Sequence, residues 1–109
     1  MSLLELQQDF AIKLAKLILV AEEIGLPVTF GDAYRDPRLH GDMGTKLGYG
    51  AANSCHKIRL AVDLNIIKDG KMAPESVYHK LHDEWDKLGG SKRIDNDLNH
   101  FSFSHGGFR

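Results

Sequence analysis

The chain has 109 residues, 42% hydrophobic and 27% charged, with a formal net charge of -1. This is the composition of one globular domain with a modest core, and it excludes a disordered tail. The 14 Lys and Arg residues are scattered rather than gathered into the basic stripe that phosphate neutralisation needs, and the single cysteine, Cys55, excludes a disulfide framework or a Cys-rich zinc cluster.

Ser2 and Glu5 have the spacing of a capping box. Leu6, Phe10, Leu14, Leu17, Ala21 and Ile24 follow at three- and four-residue steps, which predicts an amphipathic helix over residues 3–24. Gly25 and Pro27 end it. Glu5, Asp9, Lys13 and Lys16 interrupt the segment at helical spacing, so it reads neither as a secretory signal nor as a membrane span. Synthesis in the cytoplasm, without membrane insertion, is the expectation.

Val28 to Tyr34 predicts a short strand running into Arg35, broken by Asp36-Pro37. Residues 36–54 show little periodicity, and Gly41, Gly44, Gly48 and Gly50 punctuate them; loops this long in small domains are usually functional. Residues 60–67 alternate as a strand, with Leu60, Val62, Leu64 and Ile66 on the core face and Ala61, Asp63 and Asn65 opposite. Asp69-Gly70 signals a hairpin turn. Pro74 opens a second helix in its first turn; Val77, Leu81, Trp85 and Leu88 form its stripe and Gly89-Gly90 stops it. A last strand over 101–104 sets Phe101 and Phe103 against His100 and Ser102. The elements make an α+β chain.

Asp63 is the polar residue that most needs a partner, because a carboxylate in an apolar strand is costly unless paired or bound to a metal. His56 lies seven positions earlier, an odd spacing that sends the two side chains apart in a straight strand. They converge only if His56 sits in the loop before the strand, or if a bulge intervenes. If the two strands share a sheet, His56, Asp63 and His100 meet over its polar face. Two imidazoles and a carboxylate suit a catalytic zinc ion, with a fourth position left for water. Asp97, three residues before His100, is placed to serve as base from a tight turn.

The segment Ser54-Cys55-His56-Lys57-Ile58-Arg59-Leu60-Ala61-Val62-Asp63 resembles the S-x-H-x-x-G-x-A-x-D motif of the M15 zinc peptidases, which include D-alanyl-D-alanine carboxypeptidases and phage L-alanyl-D-glutamate endolysins. Asp97-Leu98-Asn99-His100-Phe101 resembles the second motif of that family, and Ala33-Tyr34-Arg35 its upstream G-Y-R segment. The resemblance spans about residues 28–104 and implies a single zinc peptidase domain over 1–109, with a small antiparallel sheet and flanking helices of the hedgehog/DD-peptidase type.

It further implies His56, Asp63 and His100 as ligands of one zinc ion, Asp97 as general base and acid, and Arg35 as stabiliser of the scissile carbonyl and its oxyanion. Ser54 takes a supporting role, either in substrate binding or among the residues that orient the metal ligands. The motif glycine is replaced by Arg59, which alters the local turn or the substrate groove, or faces the cleft and binds a substrate carboxylate. The implied substrate is a peptidoglycan stem peptide, cut at L-Ala–D-Glu, at D-Ala–D-Ala or at another cross-link by a monomer. Without a signal peptide, access to the cell wall would follow holin-type release or lysis from outside. The alternative is a non-catalytic zinc-containing binding or structural module on the same fold.

Other candidates read more plainly. His79, His82, Asp83 and Asp86 make a solvated polar face on the second helix. Glu84 is a rival base with no tie to the ligand motifs. His40 and His105 are loop residues, with His40 a possible lining of the groove. Cys55 is a small buried residue rather than a nucleophile.

Overall fold

Ser2 caps the first helix, α1 (Leu3–Glu23): its Oγ accepts from the Glu5 amide at 3.1 Å, and Glu5 returns a carboxylate oxygen to the Ser2 amide at 3.2 Å. The computed structural model describes residues 1–109. Phe10, Leu17 and Ala21 are buried along the predicted stripe. Ile24, its expected last member, lies just past the helix as the C-cap and is largely exposed. Gly25 (φ 76°) closes the helix in a Schellman motif, with Leu26 N–H on Ala21 O (2.8 Å) and Gly25 N–H on Glu22 O (3.1 Å).

Strand β1 is Val28–Phe30, shorter than the 28–34 predicted. It pairs antiparallel with β2 (Ala61–Lys68), Phe30 opposite Leu64. The ladder then breaks in a bulge. Gly31 N–H donates to Asp63 O (2.8 Å), but Asp63 N–H donates to Asp32 O (2.7 Å), so two residues face one. A Cβ on Gly31 would stand 3.0 Å from that of Asp63, which is why the approach needs glycine. Past the bulge the chain turns across the sheet toward Arg35. A one-turn helix, α2 (Pro37–His40), capped by Asp36, lies within the stretch expected to lack regular structure.

Strand β2 is the hub of a four-stranded antiparallel sheet. Asp69 (φ 52°) and Gly70 (φ 74°) make the turn to β3 (Lys71–Met72), as Asp-Gly predicts. Helix α3 (Glu75–Lys87) has Pro74 as its N-cap, one place before the predicted first turn. Gly90 lies so close to the Trp85 indole that a Cβ there would overlap the ring. Strand β4 (His100–Ser102) starts one residue earlier than predicted and ends at Ser102, pairing Asp63 with His100 and Ala61 with Ser102.

Both long helices cover one face of this α+β sheet. Phe10 stands edge-on to Trp85 and Phe103, with centroids 5.8 and 5.3 Å away, and Leu17, Leu64, Ile66 and Phe101 fill the layer beneath. The opposite face, carrying Asp63 and His100, lies under the segment 31–59. No helix is long and apolar enough to cross a membrane.

Candidate metal centre

His56 reaches Asp63 because it lies outside the strand. Residues Cys55–Ile58 form a 3₁₀ turn, capped by Ser54, whose Oγ accepts from the His56 amide at 3.2 Å. Arg59 ends the turn in the left-handed conformation (φ 58°, ψ 35°) and feeds the chain into β2. Of the two routes to convergence, loop placement is therefore the one taken; the bulge lies on the neighbouring strand.

The three ligand atoms form a small triangle. His56 Nε2 is 3.1 Å from Asp63 Oδ1 and 3.1 Å from His100 Nδ1, and His100 Nδ1 is 3.6 Å from Asp63 Oδ1. The edges of a tetrahedron with arms of about 2.0–2.1 Å measure roughly 3.3 Å, so the three donors have the spacing of a tetrahedral metal site. The tautomer agrees. His56 Nδ1–H donates to Ala33 O at 2.7 Å, which leaves the Nε2 lone pair facing Asp63 and His100. The far nitrogen of His100, Nε2, is buried without a partner, so no second contact fixes that ring. Burial opposes ionisation of Asp63, but the hydrogen bond from His100 and the neighbouring His56 imidazole outweigh it and hold the carboxyl well below its usual range. The group is buried, carries a carboxylate charge, and converges three donors on one point.

Arg35 lies beside this group. Its Nε donates to Asp32 at 3.1 Å, its Nη1 to Ser54 Oγ at 3.3 Å, and its Nη2 is 3.9 Å from Asp63 Oδ2. Asp97 approaches from the other side, its Oδ2 3.9 Å from His100 Nδ1 and its side chain 51% exposed. The turn preceding β4 sets it there, through Asp97 N–H on Ile94 O and His100 N–H on Asp97 O. Arg35, Ser54, Asp97 and His100 line one open cleft of about 590 Å³. The predicted ligands, base, arginine and serine thus share one place.

Arg59 does not join them. Its guanidinium stacks on the Tyr34 ring, 4.0 Å from the centroid, and is not among the residues lining the cleft. His40 is buried at the end of α2 with its ring edge-on to Tyr49, and does not line the cleft. Cys55 is buried, as expected. Glu84 pairs with Lys87, remote from the ligands.

The α3 face differs from the expected solvated surface. His82 is 1% exposed, stacked on Phe101 with its Nε2 2.8 Å from Leu98 O, and desolvation lowers its pKa to about 4. His79, Asp83 and Asp86 gather around Arg93 at 2.8–3.0 Å. Two further residues escaped sequence reasoning. Tyr49 donates its hydroxyl to Asp32 at 2.6 Å. Lys57, alternating with His56 in the motif, buries its ammonium among the carbonyls of Asp42 (3.2 Å), Thr45 (2.6 Å) and Ala52 (3.0 Å). Its only signal was a lysine beside an unexplained glycine-rich loop.

No protein-family model, curated protein or solved structure matches the chain.

Proposed function

We propose that this protein is a zinc-dependent peptidase that hydrolyses an amide bond in peptidoglycan stem peptides. The observation that carries the reading is the triangle of His56 Nε2, Asp63 Oδ1 and His100 Nδ1, whose His100 corner lines an open cleft together with Asp97 and Arg35. The motif resemblance supplies the substrate class.

His56, Asp63 and His100 would hold the ion. Bound there, zinc polarises a carbonyl and makes water nucleophilic near neutral pH. Asp97 has an exposed carboxylate at the mouth of the group, free to take a proton from attacking water and pass it to the leaving amine. Arg35 keeps Nη2 free of hydrogen bonds beside the ligands, where a tetrahedral oxyanion develops negative charge. Ser54 holds the other arm of that guanidinium.

Mass spectrometry of peptidoglycan digests, with and without chelator, tests the activity and names the bond. Asp97→Ala should retain zinc and lose roughly 10²–10⁴-fold in rate. His56→Ala should lose the ion itself. Undiminished turnover by zinc-loaded Asp97→Ala removes Asp97 from the role. Zinc binding without release of any new amine would instead fit the non-catalytic module.

A further inference from the structure

Arg35 is held by more contacts than charge neutralisation needs. Asp32 Oδ2 receives two donors, the Arg35 Nε–H at 3.1 Å and the Tyr49 hydroxyl at 2.6 Å. The Tyr49 ring lies under the guanidinium, 5.6 Å from its carbon. Gly50 brings the backbone so close that a Cβ there would stand 3.0 Å from Arg35 Cδ. Asp32 is also tied to the ligand strand, since its backbone oxygen accepts from Asp63 N–H at 2.7 Å.

We infer that Asp32 and Tyr49 are positioning residues that fix the Arg35 guanidinium against the metal centre, Asp32 as the anchor and Tyr49 as the clasp that orients it. The inference rests on the peptidase reading for its catalytic consequence. A guanidinium has five N–H groups in a rigid fork. With Nε given to Asp32 and one Nη1 proton to Ser54, Nη2 is left directed at Asp63 and the cleft. A carboxylate that accepts only from Arg35 can rotate with it. One that also accepts the Tyr49 hydroxyl has its oxygen fixed from a second segment of chain. Asp32 lies outside the cleft lining, and Tyr49 lines the cleft while its hydroxyl is committed to Asp32.

The test uses the zinc-loaded protein, a synthetic stem peptide, two single variants and an Arg35→Gln background. Asp32→Asn should lower kcat by about tenfold and Tyr49→Phe by about threefold, both with KM and zinc affinity near wild type; small displacements of a charge-stabilising group act on this scale. In an Arg35→Gln background, Asp32→Asn should add nothing, because the group it positions is gone. A second readout needs no turnover: the Arg35 Nε–H resonance should exchange with solvent slowly in the wild type and at least several-fold faster in both variants. Wild-type kcat in Asp32→Asn, or a full additive loss in the Arg35→Gln background, overturns the inference and leaves the peptidase reading standing. No hydrolysis by the wild type removes that reading, and the resonance still decides whether Arg35 is clamped. Equal exchange in all three proteins overturns the clamp.

Discussion

Arg59 occupies the left-handed region at the end of the 3₁₀ turn, a conformation costing an L-residue roughly 1–2 kcal/mol. Stacking on Tyr34 offsets part of that cost. A glycine there would remove the strain but also lose the stacking and gain unfolded-state entropy. Arg59→Gly should therefore change stability by less than about 1 kcal/mol and leave zinc affinity intact, whereas β-branched Arg59→Val should cost more than about 1 kcal/mol. Urea denaturation and zinc titration check both. His82 gives a pH signature. Its folded pKa of about 4 lies below an ordinary value of 6.5, so the unfolded chain takes the proton first. The contribution is fully present above pH 6.5 and lost as pH falls toward 4, by roughly 3 kcal/mol from that difference. His82→Phe should flatten the pH dependence of the denaturation midpoint in that window; an unchanged slope would show that His82 is not buried neutral.

Among the elements, the segment 41–53 looks irregular in sequence yet has its own centre. The Lys57 ammonium satisfies three carbonyls from it, and Gly44 N–H on Ala52 O (2.9 Å) closes it from within. Burying a lysine is tolerated only with such partners. Lys57→Met removes the charge and leaves the Thr45 carbonyl without a donor, while Asp42 O and Ala52 O keep the amides of Thr45 and Gly44, so a loss of about 1–3 kcal/mol is expected. Amide exchange at Gly44, Thr45 and Leu47 should rise more than in α1, since the damage begins in the loop. Uniform protection across the chain would refute the pin. The same segment carries Tyr49 and leads directly into Ser54, so its order reaches the arginine in the cleft.

For the molecule as a whole, the sheet divides two tasks. One face is sealed by α1 and α3 around Trp85 and Phe101, while the other collects His56, Asp63 and His100 from three separate elements. An ion binding that group binds the folded chain and not the unfolded one. Zinc at about a hundred times its Kd should then add about 2.7 kcal/mol of stability, read as a raised Tm that chelator reverses. His56→Ala should show no such rise. A wild-type Tm indifferent to zinc would count against the site.

Periodicity and turn chemistry were enough for α1, α3, the β2 strand and the Asp-Gly hairpin, because helix stripes, strand alternation and caps are local consequences of residue order. The candidate metal-binding group was legible for a similar reason: Asp63 is a charge in an apolar strand, and His56 and His100 stand at set distances from other residues along the chain. Folding decided what local order does not encode. The bulge opposite Asp63 shortened β1, β4 paired with β2 to bring His100 to Asp63, and burial drew Tyr78 and His82 into a core that the α3 stripe did not foresee. Lys57, Tyr49 and Arg93 acquired their roles only through partners distant in sequence, while Arg59 was kept out of the cleft by a local backbone angle and the Tyr34 ring. A side chain's neighbours across the fold depend on how segments pack, and spacing along one segment carries no record of them.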